Sequence, residues 1–173
     1  MEAEQQLKLI IDSIKQSVDN SLSTTNMKKL AVDAAQNVKT RTRKGKGVNS
    51  LGGSEKQLPS LAENTVKRRE SLKRRSKLNF NTTPKKSNLT RSGQLTSDIM
   101  GTSTHKANGQ VFIDSGRRNQ FSGKSSSEVA KEVEDIGFKF FNFSKREVLS
   151  IVKDYGLILS KEIVRILNRI KSQ

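Results

Sequence analysis

Apolar residues return at three- and four-residue steps at both ends of the chain, and at two-residue steps for a short stretch between them. Near the start, Leu7, Ile10, Ile11, Ile14, Val18 and Leu22 fall on one stripe of an α-helix. The residues "STTN" at 23–26 offer helix caps, and Met27, Leu30, Ala31, Ala34 and Val38 then restart the stripe. This predicts two helices, or one with a break, over residues 1–40. Near the end, Ser144 and Glu147 have the spacing of a capping box, in which each side chain satisfies an unpaired backbone N–H at the helix start. Val148, Ile151, Val152, Tyr155, Leu159, Ile163, Ile166 and Ile170 then trace an apolar face for about seven turns. The first and last stripes are natural partners for each other.

Between them the pattern changes. "GTSTHKANGQVFIDSG" (101–116) predicts a hairpin: a run ending near Thr104, a turn through "KANG", and a return along "QVFIDS". "SSEVAKEVEDIG" (126–137) reads as a capped helix with Val129, Val133 and Ile136 on one side and Gly137 as its stop. "KKSNLTRSGQLTSDI" (85–99) begins a short helix, with Thr90 or Ser92 as its cap and Leu95 and Ile99 one turn apart. Gly45, Gly47, Gly52, Gly53, Pro59 and Pro84 break up residues 40–87, where "SLAENTVKRRESLKRR" (60–75) offers one short helix capped by Ser60. A loop of this length inside a compact domain is suspect unless a partner orders it.

Composition sharpens that inference. The 173 residues carry 33 Lys or Arg against 17 Asp or Glu, a formal charge of +16. Sixteen of those basic residues lie between Lys39 and Ser92, against three Glu, so most of the excess sits in the middle third. With 32% apolar residues, seven Phe and no Trp, the core is modest and much of the chain must lie on a surface or against a partner. There is no Cys, which excludes disulfides, thiolate catalysis and most zinc sites and fits a reducing compartment. The polar, acidic "MEAEQQLKLI" and the absence of any apolar run of membrane-spanning length predict a soluble, unsecreted protein.

Catalysis has little support. His105 stands alone in a turn containing Gly and Lys; Ser92 lacks the G-x-S-x-G frame of a nucleophile elbow. "RKGKG" (43–47) lacks the spacing of a phosphate loop. The residues point to no enzyme, no metal and no cofactor. The basic runs "KTRTRKGKG" and "VKRRESLKRRSK" are the non-catalytic candidates, able to neutralise phosphates or an acidic protein surface. They contain no aromatic residue for base stacking, which disfavours a single-strand platform.

Taken in order, the segments "RTRKGKGV" (41–48), "LPSLAENTVKRR" (58–69), "SNLTRSGQLTSDI" (87–99) and "FKFFNFSKREV" (138–148) resemble the virion-morphogenesis, or tail-completion, family of tailed bacteriophages. That family carries, in sequence, "R-x-R-x-G-x-G", "LS-x-x-T-x-x-x-R", "SNLTRTGQL" and "PFL-x-LS-x-x-E". The likeness spans about residues 30–160 and is most specific in the middle block and in "FFNFSKRE". "FKFF" stands where "RPF" is expected, and Ser92 replaces the second Thr of "LTRTG".

The resemblance implies a non-enzymatic structural protein of the virion tail or neck, a tail terminator or head–tail joining component made in the bacterial cytoplasm and acting as an oligomeric ring. Its implied partners are copies of itself, other neck, connector or tail-tube proteins, and non-specifically the packaged DNA, with no membrane. The alternative is a non-enzymatic nucleic-acid-binding protein using residues 39–92.

These readings predict an α+β fold: N-terminal helices and a long C-terminal helix packed on a small antiparallel β-sheet, with a long basic arm. Its divisions are a helical region at 1–40, a basic extended arm at 41–86, and an α+β body at 87–173, one domain overall. Arg41, Arg43, Lys44, Lys46, Lys67, Arg68, Arg69, Lys73, Arg74 and Arg75 are the expected partner or DNA contacts; neutralising the first four should weaken assembly and leave the monomer folded. Ser87, Asn88, Leu89, Thr90, Gly93 and Leu95 form the expected structural corner where the arm returns to the body.

Overall fold

The N-terminal helical region breaks at Ser23, whose hydroxyl accepts the Asn26 N–H at 3.4 Å and so starts a second helix. In the computed structural model, which describes residues 3–74, 94–118 and 123–171, helix α1 spans Ala3–Ser21 and α2 spans Thr24–Arg43. Strands β1 (Lys46–Gly47) and β2 (Lys56–Gln57) follow, then α3 (Glu63–Arg74) and the single turn α4 (Gln94–Ser97). Next come β3 (Ile99–His105), β4 (Asn108–Ile113), α5 (Ser126–Asp135) and the long α6 (Lys145–Lys171). The architecture is α+β, with the strands in two antiparallel pairs, β1–β2 and β3–β4, where the sequence had pointed to one sheet.

Helix α2 is the centre of the fold because its inward face is built of small and mid-sized residues. Met27, Leu30, Ala31, Ala34, Ala35 and Val38 are buried, and β3 and β4 lie across them. The approach is close: a Cβ placed on Gly101 would sit 2.3 Å from the Ala31 carbonyl. Across the hairpin Ile99 pairs with Ile113, Met100 with Phe112 and Gly101 with Val111. Alternation along β3 buries Ile99 and Ser103 and leaves Met100 outward. The turn is only Lys106–Ala107, with Ala107 at φ 58 and its N–H donated to the Leu22 carbonyl at 2.9 Å. Gly109, expected in the turn, instead lies on β4 with its Cα against Met27 and Ala31 of α2.

The core gathers Ala35, Val38, Leu58, Leu95, Ile99, Ala130 and Phe140, edged by Val111, Ile113 and several partly buried Phe. Ile99 enters it from a strand and not from the short helix, because α4 ends at Ser97 and the chain turns extended there. Helix α5 is capped reciprocally by Ser125 and Glu128, one residue earlier than the sequence suggested, and stops at Gly137, φ 96. Its first turn is pinned to the sheet by Asp98, which is buried and accepts the Ser126 hydroxyl at 2.6 Å.

Of the expected arm at 41–86, residues 46–58 fold back onto the body, and residues 75–86 lie outside the described residues. Helix α2 runs on through Arg43, and the following segment folds back onto the loop before α6. The Val48 N–H reaches the Lys139 carbonyl at 3.0 Å, the Gly52 N–H the Phe143 carbonyl at 2.8 Å, and the Lys145 N–H the Gly53 carbonyl at 3.0 Å. Val48 and Leu58 are buried. A Cβ on Gly47 would meet the Lys139 carbonyl oxygen at 2.0 Å, so this glycine is required for the two backbones to lie side by side. The glycines that read as punctuation of an arm include one that makes its docking to the body tight.

Candidate functional site

Arg41 is the largest departure from expectation. It continues the inward stripe of α2, three residues beyond Val38, and is 4% exposed. Its Nη1 donates to Glu147 Oε2 at 2.8 Å and its Nη2 to the Phe140 carbonyl at 2.6 Å. Burial pulls the guanidinium pKa below its ordinary value, while Glu147 and then Glu55 push back. Glu147, 6% exposed, also accepts the Ser144 N–H at 2.7 Å, and Ser144 Oγ accepts the Glu147 N–H at 3.2 Å. The cap of α6 and the end of α2 therefore share one carboxylate. Arg41 is a structural latch and not a partner contact, because a side chain committed to two acceptors in the interior presents no charge outside.

The other basic candidates divide by element. Arg43 is exposed on the last turn of α2, and Lys44 is exposed just beyond it, at the helix cap. Lys46 pairs with Glu55 at 3.2 Å across the β1–β2 turn, and Lys67 with Glu63 at 2.7 Å along α3. Arg68 is exposed on α3, whereas Arg69 is buried and so no outward contact. Lys73 and Arg74 end α3, but their side chains, Arg75, and the corner residues Ser87, Asn88, Leu89, Thr90 and Gly93 lie outside the described residues. Leu95 is buried in the core from α4. What remains outward is Arg43, Lys44, Lys67 and Arg68, with Lys46 half-exposed. Nearby, burial and then the Arg43 charge lower the pKa of Lys39, against an opposing pull from Asp98.

The second surface is apolar. Helices α1 and α6 pack together, but not through the stripe the sequence suggested. Ser17 and Ser21 of α1 are buried, and Ser21 Oγ lies 3.1 Å from Tyr155 Oη. Leu7, Ile11, Ile14 and Val18 are left 37–59% exposed, and Leu149, Val152 and Leu167 of α6 are 40–62% exposed. Sequence periodicity identified the stripe on α1; its offset from α6 follows from the serines at 13, 17 and 21, which repeat every helical turn beside it.

Among the described residues no group of three or more His, Cys, Asp or Glu is placed to hold a metal. Nor, among them, is any helix long and apolar enough to cross a membrane. His105 is exposed at the end of β3. Compared with protein-family models, curated proteins and solved structures, the chain matches none.

Proposed function

We propose that this chain is a structural component of a tailed-phage virion, completing the tail or neck so that head and tail join, and acting as an oligomeric ring. The observation that carries the reading is the apolar face of α1 and α6. Large side chains at this exposure are unusual for a chain that works alone and ordinary for one that works in an assembly. The motif order from "RTRKGKGV" to "FFNFSKREV" supplies the class of assembly by resemblance. Exposed Arg43, Lys44, Lys67 and Arg68 then offer charge to an acidic neighbour or to passing DNA. Electron microscopy of lysates from a phage lacking this gene tests the role. Filled heads beside separate or overlong tails are expected; normal infectious particles would refute it.

The second reading, a nucleic-acid-binding protein of another kind, is favoured by the same outward cations on α3 and at the end of α2. It predicts duplex affinity that falls log-linearly and steeply with salt. Assembly through apolar helix faces survives moderate salt.

A further inference from the structure

Helix α6 runs antiparallel to α1: Tyr155 meets Ser21 at the C-terminal end of α1, and Ile166, eleven residues further along α6, is buried, so the rest of α6 lies beside the earlier turns of α1. Viewed down its axis, α1 turns Ser17 and Ser21 towards α6 and carries Leu7, Ile11, Ile14 and Val18 about a quarter turn further round. Helix α6 turns Tyr155 and Ile166 inward and carries Leu149, Val152 and Leu167 about a quarter turn further round, in the same sense of numbering. Because the helices are antiparallel, these like offsets bring both stripes to the same side of the pair. The result is one continuous two-helix apolar face.

We infer that this face is occupied by the same face of a second copy, giving a four-helix layer in which α1 of each copy lies over α6 of the other. Area and charge support that occupant. The seven side chains present on the order of 700 Å² at their observed exposures, close to the roughly 800 Å² that each partner gives to a stable interface. Across Ala3–Ser21, three acidic residues oppose two lysines, whereas Lys145–Lys171 holds seven basic against three acidic. A two-fold axis parallel to the helices sets the slightly acidic α1 over the basic α6, twice, in a chain whose overall +16 otherwise opposes self-association. A two-fold contact closes after two copies, so a ring needs a further seam. The outer face of β3–β4 is uncharged from Met100 to Thr104 and exposes Met100 and Phe112.

The inference deepens the assembly part of the virion reading, and the two fail separately: particles made without the gene test the role, and the purified chain tests the contact. Sedimentation velocity of the full chain at micromolar concentration should give twice the 19.3 kDa chain mass, unchanged at about 0.5 M salt. Ile14→Glu with Leu167→Glu should weaken association at least about tenfold while circular dichroism stays that of the parent. Val32→Glu, an exposed apolar position on α2 away from the face, should leave the pair intact. If the glutamate variant loses helix, Ile14→Ser with Leu167→Ser is read the same way. A parent chain that is monomeric throughout, or face variants that associate as the parent does, would overturn the inference. So would a monomer that co-sediments with phosphatidylglycerol vesicles, which would assign the face to lipid.

Discussion

Replacing Arg41 by Met tests the latch between α2 and α6. The change removes the 2.8 Å bond to Glu147 and the 2.6 Å bond to the Phe140 carbonyl but keeps an unbranched stem to fill the space. Breaking a buried ion pair by deleting one partner costs about 3–5 kcal/mol, because the remaining charge stays desolvated. Here the remaining carboxylate still accepts the Ser144 N–H at the positive end of α6, which places the cost near the lower limit. The abandoned Phe140 carbonyl adds about 1 kcal/mol. The expected destabilisation is about 3–4 kcal/mol, a large fraction of what a domain of this size possesses. Glu147→Gln keeps an acceptor for the cap and strands the guanidinium instead, for about 4 kcal/mol.

The double variant should cost clearly less than the sum of the singles, with a coupling of at least about 2 kcal/mol, since removing both charges leaves neither desolvated. Urea unfolding followed by helical circular dichroism measures all four corners of the cycle. A cost for Arg41→Met below about 1 kcal/mol, the range of exposed pairs, would refute the latch, as would additive singles. Arg43→Met and Lys44→Met, both outward, should change stability by no more than about 0.5 kcal/mol. Arg41 therefore cannot be neutralised together with Arg43, Lys44 and Lys46 as a clean test of assembly.

Gly101→Ala should destabilise by about 3 kcal/mol in the same urea assay, because its Cβ would lie 2.3 Å from the Ala31 backbone and α2 would have to lift off β3. Gly156→Ala, in the middle of α6 with open space around it, should stabilise by about 0.5–1 kcal/mol; a loss there would mean that the site is packed. Glu128 has its pKa lowered by the Ser125 backbone and hydroxyl bonds, so its contribution is present above the ordinary carboxylate range and is lost as pH falls through the lowered value. Glu128→Gln should flatten the acid limb of the stability profile; an unchanged limb would refute the linkage.

What could be read from the sequence was what depends on neighbours in the chain. Ser23, and Ser144 with Glu147, announced helix starts because a cap is made within three residues. The hairpin was legible from alternation, but its turn was not: Gly109 looked like turn chemistry and is spent on contact with α2, leaving Ala107 to take the positive φ. Arg41 was misread for a related reason. In "RTRKGKG" its neighbours are outward cations, and composition assigns all of them one role. Helical phase separates them, since Arg41 falls in step with Val38 and Ala34 whereas Arg43 and Lys44 do not. Its partner lies 106 residues away, and no local signal names Glu147.

The serines of α1 bear on which surface dominates association. Had α1 turned its Leu and Ile residues to α6, the terminal helices would have formed a closed pair and the basic residues would have been the main feature left outside. Instead the buried Ser17 and Ser21 take the intramolecular contact, and the apolar stripe stays open. At roughly 25 cal/mol per Å², covering about 700 Å² of such surface is worth on the order of 15 kcal/mol before the cost of association is subtracted. Each exposed ion pair that Arg43, Lys44 or Arg68 could make is worth at most about 1 kcal/mol and weakens in salt. By that comparison the terminal helices set whether this chain associates, and the basic residues act on the rate and orientation of encounter.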